Sequence, residues 1–434
     1  MSAFQYVPHE IQIEIFTNLD LKDLLRLAGV KFFRKLILKS PWNHVTVRYI
    51  NSNIIKLISK KYCFSHYNFI NSRIKDFALK YINGCHTVNL SRCKYISDDS
   101  VKLLIGCHTL KLSNCQQITD HSVKLLSGCQ VLHLAYCKNI TDASVKYLGR
   151  CQELDISGTL ITDDSVKLLS SCNILNLSRC NITDASVKLL GGCQALHLTG
   201  CENITDASVK LLGGCQSLHL YGCNITDASV KLLGRCQILG LAGCNITDTS
   251  VKLLAGCQSL DLYGCNITDA SVKLLGACQR LVLGGCRKIT DASIKYLAAC
   301  QSLDLSHCKN ITDASVKLLG GCHELSLDGC NITNNSVKLL GGCHRLSLAN
   351  CKKITDESVK YLGDCEFLDL SNCELITDES VKFLGKCQVL KLYNCKITAD
   401  SLKCLSGIVY INRKGPIPLD VQKTLKKVVD IRHD

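Results

Sequence analysis

One segment of this chain recurs so regularly that it constrains the fold more than any other feature. Residues 193–212 read CQALHLTGCENITDASVKLL, and variants of this pattern run from residue 85 to about residue 404. Fifteen repeats of 21 or 22 residues result, each beginning at a cysteine: Cys85, Cys107, Cys129, Cys151, Cys172, Cys193, Cys215, Cys236, Cys257, Cys278, Cys300, Cys322, Cys343, Cys365 and Cys387. Self-similarity at such a period indicates a solenoid of stacked supersecondary units.

Each repeat has two halves with different hydrophobic periods. Leu196 and Leu198 alternate with polar residues, as in a strand with one buried face. Val209 and Leu212 are three residues apart, which is helical spacing, and Thr205 is a suitable N-cap just before them. The sequence therefore predicts a short strand, a turn, a short helix and a return loop in every repeat.

Neither half can bury its apolar side alone, so the repeats must stack. Stacked strands lie about 4.8 Å apart, whereas helices are about 10 Å wide, which puts the strands on the inside of a curve. Fifteen strands at that spacing predict a concave face roughly 70 Å long. The pattern resembles the cysteine-containing leucine-rich repeat family over about three quarters of the chain. The resemblance implies an α/β horseshoe with parallel strands on the concave face and helices outside.

The cysteines follow the repeat rather than a disulfide or zinc pattern. Of the 31, fifteen occupy the first repeat position and fourteen the ninth, and only Cys63 and Cys404 lie outside these positions. No C-x-x-C occurs, which argues against zinc. A buried thiol is a small hydrophobic group with a weak donor, so we expect the ninth-position thiols to bond to backbone carbonyls. Disulfide or metal ladders are the alternative. Reduced thiols imply an intracellular protein of the cytoplasm or nucleus.

The positive charge is concentrated outside the repeats. The chain carries +14, of which residues 1–84 contribute +8, residues 85–410 only +3 and residues 411–434 another +3. Nearly every helix lysine follows an aspartate by four residues, as in Asp142 and Lys146, which predicts intrahelical ion pairs and a self-neutralised outer face. A nucleic-acid-binding stripe would need uncompensated charge and is the alternative. No run of eighteen apolar residues exists and the N-terminus does not resemble a signal peptide, so we expect no membrane association.

The N-terminal residues form a different pattern. Ile11, Ile15 and Leu19 make a helical stripe that about 40 residues cannot bury alone, so a partner is expected. The stretch VPHEIQIEIFTNLDLKDLLRLAGVKFFR resembles an F-box, with Trp42 at the position of the tryptophan that usually ends the motif. That resemblance implies docking to a Skp-type adaptor through Pro8, Ile11, Ile15, Phe16, Leu19, Leu24, Leu27 and Val30. A plain helical cap on the solenoid is the alternative.

These patterns predict four regions. Residues 4–45 would be a three-helix F-box, residues 46–84 a linker with a degenerate first repeat, and residues 85–411 the repeat array. Residues 412–434 would form a capping helix through the apolar stripe of Val421, Leu425 and Val428.

The chain offers no constellation of catalytic residues, so we expect neither enzymatic activity nor a cofactor. It contains no phosphate-binding glycine loop and no H-E-x-x-H segment. His197 and His219 occupy the same position of adjacent repeats, where a metal pair would still need other ligands.

The strand halves vary while the helical halves stay nearly constant, which is typical of a binding surface on a rigid scaffold. The predicted target-binding residues are Tyr221, Asp261, Tyr263, Arg280, Asp304, Glu324, Asp328, Arg345, Phe367 and Asp369. Drift on a solvated face is the alternative. The five acidic and two basic side chains in this set predict a protein target that is basic or mixed in charge.

Together, the two resemblances imply a substrate-recognition subunit of a Skp–cullin–F-box ubiquitin ligase. The F-box would bind the adaptor, and through it the cullin, while the concave face would bind a target protein. A repeat scaffold without a ligase is the second hypothesis, and a nucleic-acid-binding solenoid that uses the basic N-terminal third is the third.

Overall fold

A computed structural model describes residues 26, 41–48, 55–56, 58–59, 63–398, 400–411 and 427–430. The chain divides into two compact parts, residues 1–203 and residues 204–434, which we call the N-terminal part and the C-terminal part. The predicted adaptor-binding residues Pro8, Ile11, Ile15, Phe16, Leu19, Leu24, Leu27 and Val30 lie outside the described residues.

The N-terminal part is a parallel sheet with one short helix after most strands. Its strands are β1 (Pro41–Arg48), β2 (Cys63–Asn68), β3 (Thr87–Asn89), β4 (Thr109–Lys111), β5 (Val131–His133), β6 (Glu153–Asp155), β7 (Ile174–Asn176) and β8 (Ala195–His197). Its helices are α1 (Asp76–Leu79), α2 (Asp98–Val101), α3 (Asp120–Val123), α4 (Asp142–Val145), α5 (Asp163–Val166) and α6 (Asp184–Val187).

The C-terminal part has the same organisation, and each strand pairs in parallel with the next one in the chain. Its strands are β9 (Ser217–His219), β10 (Ile238–Gly240), β11 (Ser259–Asp261), β12 (Arg280–Val282), β13 (Ser302–Asp304), β14 (Glu324–Ser326), β15 (Arg345–Ser347), β16 (Phe367–Asp369), β17 (Val389–Lys391), β18 (Ile408–Ile411) and β19 (Lys427–Asp430). Its helices are α7 (Asp206–Val209), α8 (Asp227–Val230), α9 (Asp248–Val251), α10 (Asp269–Val272), α11 (Asp291–Ile294), α12 (Asp313–Val316), α13 (Asn334–Val337), α14 (Asp356–Val359) and α15 (Asp378–Val381).

The core of each repeat consists of the apolar positions that the sequence pattern picks out. In the repeat that starts at Cys257, the buried residues include Leu260, Leu262, Ile267 and Val272, each with no exposed surface. The parallel α/β fold predicted from the alternation of strand and helix periods is confirmed. The predicted N-cap is also present, because Thr268 accepts a hydrogen bond from the Ala270 backbone N–H.

The helices are shorter than the apolar spacing suggests. Each helix is only four residues long, most often D-x-S-V, and the next three residues continue in five repeats as 3-10 turns: Lys102–Leu104, Lys124–Leu126, Lys167–Leu169, Lys252–Leu254 and Lys295–Leu297. The backbone N–H groups of Leu274 and Leu275 bond three residues back, to Ser271 and Val272. Such bonds tighten the last turn of a helix, so a 21-residue repeat has room to return to the next strand.

Both predicted end regions differ from the sequence interpretation. Strand β1 begins at Pro41, so residues 41–45, the end of the predicted F-box, belong to the sheet, where Pro41 and Trp42 pair with β2. At the other end, residues 427–430 form β19 against β18 rather than the end of a capping helix. The β-branched pair Val428 and Val429 favours a strand, and its backbone supplies partners for the hydrogen-bonding edge of β18.

Candidate binding surface

Strands β9 to β17 each turn their central leucine into the core and its two neighbours to the opposite face. In β12, for example, Leu281 is fully buried, while Arg280 and Val282 lie on the open face of the sheet. Because all pairs are in register, the residues before the central leucines form a first row across the sheet, and the residues after them form a second row. The sequence prediction of outward-facing variable positions therefore agrees with the strand geometry.

The first row contains a cluster of charged and aromatic side chains. The carboxylate of Glu324 lies between two guanidinium groups, 3.7 Å from that of Arg280 and 3.3 Å from that of Arg345. It also accepts a hydrogen bond of 3.0 Å from the Ser302 hydroxyl. The Arg345 guanidinium lies 4.5 Å above the centre of the Phe367 ring. We call Arg280, Glu324, Arg345 and Phe367 the mixed-charge cluster.

This cluster surrounds a shallow depression of about 200 Å³ on the sheet. Its floor includes Leu303, Leu325 and Leu346, while charged side chains form its rim. An apolar base with a polar rim is the usual composition of a protein-binding site. All four residues of the mixed-charge cluster were predicted from the sequence, but their mutual contacts were not.

The second row contains three aspartates, Asp261, Asp304 and Asp369, whose carboxylates accept hydrogen bonds from the backbone. Asp261 accepts a hydrogen bond of 3.0 Å from the Tyr263 N–H, and Asp304 accepts one of 2.8 Å from the Ser306 N–H. These bonds secure the turn that follows each strand. Burial raises the pKa of Asp261, and the nearby Asp304 raises it further.

Two predicted acidic residues are less accessible than the sequence suggests. Asp369 is only 9% exposed, and one of its carboxylate oxygens lies 3.3 Å from the Lys391 ammonium. Asp328 accepts hydrogen bonds from the Ser347 hydroxyl and the Ala349 N–H, and burial raises its pKa. Lys391, in the second row of β17, was not predicted. Its charge makes the surface less acidic than the sequence count indicates, because a salt-bridged carboxylate attracts a basic partner weakly.

Two aromatic residues extend the surface where the chain leaves the sheet. Tyr221 and Tyr263 are 52% and 40% exposed, in the same repeat position two residues after β9 and β11. A Cβ atom added at Gly284 would lie 2.8 Å from ring carbons of Tyr263. Glycine at that position therefore allows the ring to lie across the next repeat.

The aspartates of the helical side hold the scaffold together in a way that the sequence interpretation missed. Asp248 accepts hydrogen bonds from the Thr268 N–H at 2.9 Å, the Thr268 hydroxyl at 2.6 Å and the Ser271 hydroxyl at 2.5 Å, all in the next repeat. The same three bonds recur at most repeats, and at α13 Asn334 replaces the aspartate and accepts from the Thr355 N–H and the Ser358 hydroxyl. We call this series the aspartate ladder.

The predicted intrahelical Asp–Lys pairs are wrong for this reason. Among the residues that the structure describes, no ion pair joins a helix aspartate to the lysine four residues later. The carboxylates face the neighbouring repeat, where backbone and hydroxyl donors are fixed in place. Burial raises the pKa of Asp248, but hydrogen bonds from Ser271 and Thr268 outweigh it and hold that pKa below its ordinary value.

The ninth-position cysteines agree with the sequence prediction that their thiols bond to backbone carbonyls. The ninth-position thiol of Cys265 donates to the Leu241 carbonyl at 3.4 Å, and that of Cys351 donates to the Leu327 carbonyl at 3.2 Å. Burial raises the pKa of both thiols to about 12. Within the described ranges, no group of three or more His, Cys, Asp or Glu side chains could hold a metal ion. In the same ranges, no helix has both the length and the apolar composition to cross a membrane.

Comparison with known proteins identifies the repeat and its fold. The family described as Leucine Rich repeat matches residues 173–191, 301–320 and 366–385. A search of curated proteins finds no match. Among solved structures, a complex of TLR13 with ssRNA13 superimposes with a TM-score of 0.51 at 18% identity, over 90% of this chain and 62% of that one.

Two further likenesses have TM-scores below 0.5. An internalin from Listeria monocytogenes gives 0.43 at 20% identity, over 69% of this chain and 90% of the other. A yeast Rad7 and Elc1 complex gives 0.46 at 16% identity, over 80% and 85%. The repeat sequence, the parallel sheet and the matched segments together show that this chain carries leucine-rich repeats and folds as a leucine-rich-repeat solenoid.

Proposed function

We propose that this protein is the substrate-recognition subunit of a Skp–cullin–F-box ubiquitin ligase. The observation that supports target binding is the mixed-charge cluster, where Glu324 joins two arginines beside the half-buried ring of Phe367. Arginine and aromatic side chains are the residue types that dominate binding energy at protein interfaces. The proposal for adaptor binding rests on the F-box resemblance of residues 4–45. The chain would add proximity between target and ligase rather than chemistry.

Adaptor binding is tested by Ile15→Asp, which places a charge in the apolar stripe of Ile11, Ile15 and Leu19. A buried unpaired charge costs several kcal/mol, so co-purification with a Skp-type adaptor and a cullin should be lost. Gln12→Asp adds the same charge beside the stripe and serves as the control. Retained adaptor and cullin in a folded Ile15→Asp protein would refute the F-box assignment.

Target binding is tested on the mixed-charge cluster and the second row. Phe367→Ala removes the ring that contacts Arg345, and we expect captured target to fall by about tenfold or more, as for a hot-spot residue. Asp261→Asn with Asp304→Asn removes two charges but keeps the oxygens that accept from Tyr263 and Ser306, so the turns stay intact. If target ubiquitination is unchanged in both variants, another surface recognises the target.

A repeat scaffold without a ligase is the second candidate, and one observation favours it. Residues 41–45, which end the predicted F-box, belong to β1, and Pro41 and Trp42 pair with β2. An N-terminal segment that continues the sheet is what a cap on a solenoid requires. Failure of the wild-type chain to co-purify with any adaptor or cullin, with target capture preserved, would support this candidate.

A further inference from the structure

A cavity of about 550 Å³ lies in the C-terminal part, where three successive repeats leave the sheet after β11, β12 and β13. Tyr263 forms one wall and His307 the opposite one, and between them the repeat of β12 contributes Gly285, which has no side chain. Gly285 has a positive φ of +72°, a conformation in which a larger side chain would be strained. The cavity therefore lies where two successive repeats, at Gly264 and Gly285, bring no side chain into the space between Tyr263 and His307.

Every polar side chain that lines this cavity can donate a hydrogen bond. They are those of Tyr263, Asn266, Arg287, Lys288 and His307, and no aspartate or glutamate lines it. Within the described part of the chain, neither Arg287 nor Lys288 has an ion pair. Their positive charges are therefore available to a ligand.

The lack of an ion pair is not a general property of these two repeat positions, as the repeat that starts at Cys343 shows. Lys352 and Lys353 occupy the same two places there as Arg287 and Lys288. Lys352 lies 3.6 Å from the Glu374 carboxylate, and Lys353 donates to the Asn331 side-chain oxygen at 2.7 Å. Lys352 and Lys353 thus have partners within the protein. In the described part of the chain Arg287 and Lys288 have no ion pair, and they lie beside a cavity.

We propose that this cavity binds the phosphate group of a phosphorylated side chain on a peptide. The planar guanidinium of Arg287 can donate two parallel hydrogen bonds to phosphate oxygens, and Lys288 adds a second charge. The volume lies in the range of ligand sites, roughly 300–1,000 Å³, which leaves room for the stem of the side chain against the Tyr263 ring. The phosphate chemistry follows from the cavity alone. That the phosphate belongs to a protein target rests on the proposed function. The cavity adjoins the open face of the sheet, where such a target would bind.

The test uses the full chain and titrates three pentapeptides that differ only in a central phosphotyrosine, phosphoserine or tyrosine. Inorganic phosphate and a single-stranded oligonucleotide are titrated in the same way. Calorimetry measures the affinities at two salt concentrations. We expect at least one phosphopeptide to bind about tenfold or more tightly than the unphosphorylated peptide, since each charge-assisted bond contributes at that level. Arg287→Glu with Lys288→Glu should abolish this difference.

Lys352→Glu with Lys353→Glu is the matched control, because it makes the same charge change at the same repeat positions. It should leave the affinity for the phosphopeptide within about twofold, as expected for screened surface charges at a distance. Equal losses in the two double variants, or no phosphate-dependent binding by the wild-type chain, would overturn the site. Binding of inorganic phosphate without any phosphopeptide would overturn the peptide ligand. So would a single-stranded oligonucleotide that binds through Arg287 and Lys288 when the phosphopeptides do not.

Discussion

The aspartate ladder leads to the sharpest prediction, because one carboxylate connects two repeats through three hydrogen bonds. Asp248→Ala removes the acceptor for the Thr268 N–H, the Thr268 hydroxyl and the Ser271 hydroxyl. Hydrogen bonds to a charged group contribute about 1.5–3 kcal/mol each where they are buried. Asp248 is only partly buried and Ser271 has a second acceptor in the Thr268 carbonyl, so we expect a total loss of about 2–4 kcal/mol.

Asp248→Asn should cost less than Asp248→Ala, about 1 kcal/mol, because an amide oxygen can still accept two of the three bonds. The chain itself contains this arrangement at Asn334, whose side-chain oxygen accepts from the Thr355 N–H at 3.0 Å and the Ser358 hydroxyl at 2.8 Å. Its amide nitrogen donates to the Thr355 hydroxyl at 2.7 Å.

Hydrogen exchange followed by mass spectrometry measures the effect locally, which suits a solenoid whose stability is a sum of neighbour interactions. Peptides from residues 236–277 should exchange faster in Asp248→Ala, whereas distant repeats should not change. Lys252→Ala is the control, since an intrahelical Asp248–Lys252 pair would make both alanine variants similar. The ladder explanation fails if Lys252→Ala and Asp248→Ala have equal effects, or if Asp248→Asn is as destabilising as Asp248→Ala.

Two further predictions concern the aspartate ladder and the buried cysteines. The pKa values of Asp98, Asp163, Asp206, Asp227, Asp248, Asp269, Asp313 and Asp378 are lowered in the folded protein, where hydrogen bonds outweigh the opposing effect of burial. An aspartate with a lowered pKa in the folded state stabilises the protein at pH values above the ordinary aspartate pKa of about 4. This stabilisation is lost as the pH falls below that value and through the folded-state pKa. Thermal melts from pH 7 to pH 3 should therefore show a decline below about pH 4 that is shallower in Asp227→Asn with Asp248→Asn, and equal declines would contradict the idea. For the cysteines, native alkylation should modify the exposed Cys404 well before buried thiols such as Cys265 and Cys351, whose raised pKa values of about 12 keep them protonated. Mass spectrometry that finds Cys265 labelled as fast as Cys404 in folded protein would refute this.

The local pattern of each repeat could be predicted because it depends on contacts that every copy shares. Leu260 and Leu262 alternate, so their burial follows from strand geometry alone, and Thr268 precedes a helical stripe, so its capping role follows as well. The bond from the Cys265 thiol to a backbone carbonyl was also predictable, since a buried thiol at a fixed turn position has few other partners.

The surface was predicted only in part. The pattern placed Arg280, Glu324, Arg345 and Phe367 on one face, because period-two alternation fixes which side chains share a face. It did not show that Glu324 bridges two arginines, or that Lys391 pairs with Asp369, since these contacts depend on the lateral register of strands about 20 residues apart in sequence.

The sequence by itself determined the repeat, its strand and helix halves and the buried positions, because a 21- or 22-residue period with two hydrophobic spacings permits one kind of stacking. Only the tertiary structure decided where each repeat directs its polar groups. Asp248 could have paired with Lys252 in its own helix. Instead, the stacked neighbouring repeat places three donors within hydrogen-bond distance of its carboxylate. Likewise, residues 427–430 form a strand because β18 offers an unpaired edge, which no local pattern contains.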